Sequence, residues 1–171
     1  MKQIPNDLFF AWVESEIAEG RSVRFRSKGV SMYPFIRGGK DEIMLSPCSK
    51  EELKPMDVIL FRYEGKHILH RIIRKKDNQL TIKGDGSYNA KETCTVDDVV
   101  GRVQSIIRPS GKIISVDSWR WRLPSYIWNK MGIFRNPILR LLHHFAQKKI
   151  TNGQTDERTT TSENEEGYGV F

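Results

Sequence analysis

Between residues 42 and 116 the chain is a series of short segments rich in β-branched residues, separated by glycine, proline, asparagine or aspartate. Such segments are typical of strands, and the residues between them are typical of turns. Two of the breaks, at 64–66 and 76–78, are short enough for hairpins. The pattern predicts a mainly β domain with mostly antiparallel strands. The alternation of Val23 and Phe25 with polar residues predicts one more strand, and the other predicted strands cover 42–45, 57–62, 66–74, 79–83, 99–107 and 112–116.

Helical patterns flank this β region on both sides. Before it, apolar residues recur at helical spacing from Leu8 to Ile17, with Asn6 or Asp7 as the predicted N-cap and Gly20 as the stop. After residue 118 the helical period returns in two stretches, divided by a glycine and a proline. This second pattern predicts an amphipathic helical hairpin.

The length of 171 residues suits one domain with appendages. We predict an N-terminal helix (1–20), a β-rich domain (21–118), a basic helical extension (119–150) and a polar, acidic tail (151–171). The tail lacks any apolar period, so we expect it to be disordered.

Several classes of protein are disfavoured by composition. No stretch approaches the roughly 18 consecutive apolar residues of a membrane span, and the first residues lack the pattern of a secretory leader. We therefore expect a cytoplasmic protein. Cys48, Cys94 and the four histidines show no metal-ligand spacing. We expect reduced thiols, no metal and no other cofactor.

The segment from 119 to 149 is strongly basic, with seven cations and no acid. Aromatic residues lie among these cations, and this composition suits peripheral contact with an anionic membrane. Nucleic acid is the less favoured partner because no recognition motif accompanies the charge. The structural alternative is a pair of helices that pack their aromatic face on the β domain and expose a basic face to solvent. The aromatic residues are Trp119, Trp121, Tyr126, Trp128 and Phe134.

Three residues supply the parts of a serine hydrolase. Ser31 lies in a turn between a glycine and a proline, where its hydroxyl can be presented and backbone N–H groups can face an oxyanion. His70, in an apolar strand, has a side chain suited to act as a general base, and Asp85 can orient its imidazole. Each residue could instead have a purely structural role: Ser31 and Asp85 as turn residues and His70 as a buried histidine. His67 lies three positions before His70, so in a strand the two face opposite sides and only one can be the base.

The order of five sequence blocks, which lie within residues 21–107, resembles that of the type I signal peptidase superfamily, which includes the LexA-like peptidases. The histidine and arginine of the third block resemble the branch that uses a serine and a histidine rather than a lysine. This resemblance implies that Ser31 is the nucleophile and His70 the general base, in a β-fold that binds its peptide substrate as an added strand. The blocks are Gly29-Val30-Ser31-Met32-Tyr33-Pro34, Lys54-Pro55-Met56-Asp57-Val58-Ile59-Leu60-Phe61, Leu69-His70-Arg71-Ile72-Ile73, Lys83-Gly84-Asp85 and Asp98-Val99-Val100-Gly101-Arg102-Val103.

The chain departs from the family pattern at three points. Family members often have a serine two residues before the nucleophile, whose hydroxyl assists the oxyanion hole, and this chain has Gly29 there. The acid that serves as the third catalytic residue is assigned to Asp85. Glu92 is the reserve candidate, because the family's acid lies several residues after the Gly-Asp pair. Signal peptidases are also anchored in the membrane, whereas this chain begins with a charged amphipathic pattern.

We predict a serine endopeptidase that cleaves a peptide or precursor protein bound as an extended strand. One alternative is a self-cleaving LexA-like peptidase, although the expected DNA-binding module and a scissile pair of small residues are not recognisable. The other is a module that keeps the fold without catalysis and docks to a peptide or a membrane.

Overall fold

The described part of the chain contains eight strands, all paired antiparallel in one sheet. Their order across the sheet is β1-β2-β7-β3-β4-β5-β6, and β8 pairs with β7. The predicted mainly β class is therefore confirmed. The strands are β1 (Val23–Arg26), β2 (Glu42–Ser46), β3 (Val58–Tyr63), β4 (Lys66–Lys76), β5 (Gln79–Lys83), β6 (Glu92–Thr95), β7 (Val99–Ile107) and β8 (Ile113–Ser115).

This computed structural model describes residues 5–88 and 90–141, so the predicted acidic tail lies outside the described residues. The chain divides into two compact units, the first ending at Ile133 and the second beginning at Phe134. All the strands belong to the first unit, and residues 136–141 of the second are helical. None of the described helices has the length and apolar character needed to cross a bilayer.

The two predicted hairpins are present. β3 and β4 are joined by Glu64 and Gly65, with φ angles of 48° and 72°, and β4 and β5 by a turn in which Asp77 has a φ of 51°. Both tight turns need left-handed backbone, which glycine adopts without strain and aspartate tolerates. The predicted strand list omitted β6, the short strand whose first residue is Glu92.

Helices lie at both ends of the β region. The first, α1 (Asn6–Ala18), begins after Pro5, so the prediction that Asn6 or Asp7 caps it was wrong. The Pro5 carbonyl accepts a hydrogen bond from the Phe9 N–H, which starts the helix earlier than the side chains suggested. The predicted stop at Gly20 is confirmed by its φ of 82°. A second helix, α2 (Trp119–Lys130), accounts for the first half of the predicted C-terminal hairpin.

Strand β3 is buried on both faces, and a hydrophobic cluster lies against each. Val58 and Leu60 belong to a cluster that includes α1 and the Ser31 loop, whereas Ile59 and Phe61 belong to a second cluster under β5 and β6. Because side chains alternate along a strand, these clusters lie on opposite faces of the sheet. The sheet therefore lies between two hydrophobic cores, and the candidate site lies on the sheet.

Candidate active site

Ser31 lies in the loop that connects β1 to β2. Ser31 lies inside a turn that is closed by a backbone hydrogen bond from Tyr33 N to the Val30 carbonyl (3.0 Å). The next turn is closed by a hydrogen bond from Ile36 N to the Met32 carbonyl (2.9 Å). Met32 and Ile36 are buried in the core below the loop. The serine is partly exposed, so its neighbours fix the turn while its own side chain stays accessible.

Gly29, two residues before the serine, has a φ of 81°. A serine at this position would be strained, because left-handed backbone costs every residue with a Cβ atom. A serine hydroxyl at this position would therefore cost about 1–2 kcal/mol of backbone strain. The Ser31 N–H donates no hydrogen bond within the described residues, so it is available to stabilise an oxyanion.

His70 lies in β4, opposite Ile59 of β3, and its side chain is 7% exposed. Its Nδ1 atom is 3.1 Å from Oε2 of Glu92. Glu92 begins β6 and pairs with Ile82 of β5, the strand next to β4. A carboxylate at Nδ1 favours the tautomer whose Nε2 can accept a proton. The imidazole is therefore oriented as a general base requires.

The turn at Gly84 brings the Ser31 loop and His70 together. A Cβ atom on Gly84 would lie 2.5 Å from the Ser31 carbonyl oxygen, 2.9 Å from His70 Nε2 and 2.6 Å from Ser87 Oγ. The N–H of Gly86 donates to the same Ser31 carbonyl at 2.7 Å. Only a residue without a side chain permits this close approach. The loop, the histidine and the glycine turn thus meet at one point.

No hydrogen bond joins Ser31 Oγ to His70 Nε2 among the bonds of the described residues. In serine hydrolases this bond is often long until substrate binds, so its absence is compatible with catalysis. Ser87 was not among the residues singled out from the sequence, although its hydroxyl lies at the same meeting point. The only sequence signal for it was the Gly-Asp-Gly-Ser turn, a common turn composition.

Asp85 follows Gly84 but binds Arg71 instead of His70. The two side chains are both 0% exposed, with Nη2 to Oδ2 at 2.7 Å and Nε to Oδ1 at 2.9 Å. The acid assigned from the sequence to orient His70 therefore has a different partner in the structure. The place at Nδ1 of the histidine is taken by the reserve candidate, Glu92.

The guanidinium of Arg71 is enclosed on its remaining sides. Its Nη1 donates to the Met56 carbonyl at 2.9 Å. The rings of Phe35 and Trp121 lie 5.5 and 5.6 Å from its Cζ atom. A buried cation is tolerated only when it is paired and hydrogen-bonded in this way.

Helix α2 contacts the turn that carries Asp85. The indole N–H of Trp128 donates to the Asp85 carbonyl at 2.9 Å, and the Asn129 amide donates to its carboxylate at 3.3 Å. Helix α2 therefore holds the turn that places Gly84 against Ser31 and His70.

His67 lies away from His70, as the strand geometry predicts. Its ring stacks on Phe10 of α1 with centroids 4.5 Å apart, and its Nε2 is 2.7 Å from Glu14. Both partners belong to α1, so this histidine attaches the helix to the sheet.

A cavity of about 510 Å³ opens beside Ser31. Its walls come from α1, from β1, from the Ser31 loop and from β4, and they are mostly apolar or aromatic. A concave apolar site with a few polar groups is typical of ligand pockets. The lining includes Phe9, Phe10, Phe25, Met32, Ile36, Leu60, His67, Ile68 and Leu69.

The described residues contain no group of three or more histidine, cysteine, aspartate or glutamate side chains that would hold a metal ion. Cys48 and Cys94 are both free thiols. Burial raises the pKa of Cys94 to about 12, so its thiol stays protonated at neutral pH. The chemical groups at the site are those of a serine, a histidine and carboxylates.

No protein-family model matches the chain, and no curated protein is significantly similar to it.

Proposed function

We propose that the chain is a serine endopeptidase in which Ser31 is the nucleophile and His70 the general base. The observation that carries this proposal is the meeting of the Ser31 loop and His70 Nε2 at Gly84, with Glu92 at the opposite nitrogen of the imidazole. A serine needs a base to remove its proton during attack, and the base needs a group that holds its tautomer. Ser31 supplies the nucleophile, His70 the base and Glu92 the group that holds the tautomer.

The reaction follows from these positions. Ser31 Oγ attacks the peptide carbonyl while His70 Nε2 takes its proton, and the Ser31 N–H donates to the oxyanion. His70 then gives the proton to the leaving amine, and water hydrolyses the acyl-enzyme by the same route in reverse. Glu92 accepts the Nδ1–H hydrogen bond and stabilises the imidazolium. Asp85 acts indirectly, because it holds the turn and takes no proton.

The substrate is a peptide or precursor protein bound in extended form. β1 pairs with β2 on one side, and no described strand pairs with its other side. An extended peptide can add to such an edge and satisfy its backbone there. β1 leads directly into the Ser31 loop, and Phe25 of β1 lines the apolar cavity.

Cleavage is tested with a peptide library prepared from a digested proteome and read by mass spectrometry. The native chain should produce new peptide termini, and Ser31→Ala and His70→Ala should produce none while keeping a native circular dichroism spectrum. Ser110→Ala, in the exposed turn before β8, is the matched control and should cleave normally. New termini produced equally by Ser31→Ala would refute the proposal.

The same comparison in cells identifies the substrate. Protein N-termini are compared between cells that carry the native chain and cells that carry Ser31→Ala, and the termini that depend on Ser31 mark the cleaved precursor. The intact mass of the purified chain after long incubation at alkaline pH tests self-cleavage, because a stable full-length mass excludes the autopeptidase alternative.

The second candidate is a peptide-binding module without catalysis. It is favoured by the lack of a hydrogen bond between Ser31 Oγ and His70 Nε2 among the described residues. Peptides from the library that bind both the native chain and Ser31→Ala, with no new termini from either, would establish this function instead.

A further inference from the structure

Helix α2 has two apolar faces, and within residues 5–88 and 90–141 only one of them packs on the protein. Its inner face carries Trp121, Ser125 and Trp128, which contact the β domain and the Asp85 turn. The opposite side carries large apolar residues at helical spacing, and they remain solvent-exposed: Trp119 is 69% exposed, Leu123 52%, Tyr126 50% and Ile127 52%. We name these four residues the outer face of α2. A helix of a soluble domain normally exposes polar residues there.

Cations accompany the outer face. The Arg120 guanidinium lies 5.5 Å from the ring of Trp119, and the Lys130 ammonium lies 5.5 Å from the ring of Tyr126. The nearest acid in sequence is Asp117, which is engaged by Arg102 and lies 3.6 Å from Arg122. From 118 to 149 the sequence contains no acid. The outer face therefore combines apolar area with positive charge.

We propose that the outer face of α2 binds the surface of an anionic lipid membrane. Trp and Tyr favour the headgroup level of a bilayer, aliphatic side chains insert below it, and cations bind anionic headgroups. Leu123 and Ile127 distinguish this surface from a nucleic-acid site, because aliphatic side chains neither stack on bases nor bind phosphates. The inner face holds α2 on the domain, so docking brings the Gly84 turn close to the membrane surface.

The test is sedimentation of the full chain with vesicles of phosphatidylcholine alone or mixed with phosphatidylserine. The chain should sediment with the phosphatidylserine vesicles, and raising the salt concentration should weaken this binding because the charges are solvent-exposed. Phosphatidylcholine vesicles should bind it more weakly.

Two double variants separate the contributions. Leu123→Glu with Ile127→Glu should reduce binding by about tenfold or more, since insertion is lost. Arg120→Gln with Lys130→Gln should lower binding to phosphatidylserine vesicles by a similar factor and make this binding less dependent on salt concentration. Ile113→Glu, at a β8 residue that is 68% exposed, is the matched control and should bind like the native chain. The inner-face contacts are untouched, and circular dichroism checks the fold of each variant.

The proposal does not depend on peptidase activity, so Ser31→Ala should bind vesicles like the native chain. It is overturned if the native chain fails to sediment with phosphatidylserine vesicles at low salt, or if Leu123→Glu with Ile127→Glu binds them undiminished. Self-association without lipid that the same double variant abolishes would assign the face to a second copy. Binding to duplex DNA that needs Arg120 and Lys130 but not the aliphatic pair, with no vesicle binding, would assign the charge to nucleic acid.

Discussion

Arg71 and Asp85 form an ion pair whose side chains are both fully buried, directly beside the point where the Ser31 loop meets His70. Removing one partner of such a pair leaves an uncompensated buried charge. The pair joins β4 to the Gly84 turn.

Asp85→Ala should lower the free energy of unfolding by about 3–5 kcal/mol, because Arg71 then stays buried without its carboxylate. Urea denaturation followed by circular dichroism measures this. Arg71→Met combined with Asp85→Leu should recover much of the loss, because replacing both charges by apolar groups removes the unpaired charge. If Asp85→Ala keeps native stability but loses cleavage, the carboxylate has a catalytic role that this arrangement does not predict.

Glu92→Gln should leave the fold intact and lower kcat by roughly 10²- to 10⁴-fold, because the amide no longer holds the imidazole in the productive tautomer. Steady-state cleavage of a library-derived peptide gives kcat and KM separately, and KM should change little. Glu51→Gln, at an exposed acid in the loop after β2, is the matched control and should be fully active. A native kcat in Glu92→Gln would exclude the carboxylate from the mechanism.

The strand pattern predicted most of the sheet because local turn residues determine where the hairpins form. Gly65 and Asp77 tolerate the backbone that the turns need, whatever the rest of the chain does. β6 escaped prediction because only Cys94 among its residues is buried, which leaves almost no apolar period to detect. Its position follows from long-range pairing with β5.

Long-range contacts also limited what the sequence could predict about the candidate site. Ser31 and His70 were singled out from motifs, but the choice between two acids depends on how β4, β5 and β6 pair. That pairing brings Glu92 to His70, while the interior between β4 and α2 brings Asp85 to Arg71. Local sequence cannot decide between two acids seven positions apart, because the deciding contacts are tertiary.

Gly84→Ala should reduce cleavage by about 10²-fold, because its Cβ would collide with the Ser31 carbonyl oxygen and His70 Nε2. The collision would separate the Ser31 loop from His70. Gly111→Ala is the control, because Gly111 lies in a turn with open space around it. The φ of 79° at this position means that the substitution should lower stability by about 1–2 kcal/mol without affecting kcat. Equal activity of Gly84→Ala and the native chain would mean that this contact does not position the site.

The cavity beside Ser31 should select peptides with a large apolar side chain close to the scissile bond, since its walls are mostly apolar. Leu69→Trp should narrow it and shift the preference of the peptide library by about tenfold or more towards small side chains. The alignment of cleaved peptides measures the preference at each position. A cleavage profile that Leu69→Trp leaves unchanged would place substrate binding elsewhere.

Asp41 should make the stability of the Ser31 loop depend on pH. Burial alone raises the pKa of its carboxyl, but hydrogen bonds from Arg37 and the charge of Arg108 outweigh burial and lower the pKa below its ordinary value. A lowered folded-state pKa stabilises the fold above the unfolded-state value of about 3.9, and this contribution is lost as the pH falls through the folded-state value. Asp41→Asn should therefore be about 1–3 kcal/mol less stable than the native chain at neutral pH.

This difference should disappear in acid, where the native carboxyl is also neutral. Urea denaturation of both chains from neutral pH down to about pH 2 measures it, and the two curves should begin to converge only below about pH 4. Asp77→Asn, at an exposed turn residue that also tolerates left-handed backbone as asparagine, is the control and should show no such convergence. A constant difference between Asp41→Asn and the native chain at every pH would show that shape, and not charge, makes Asp41 necessary to the loop.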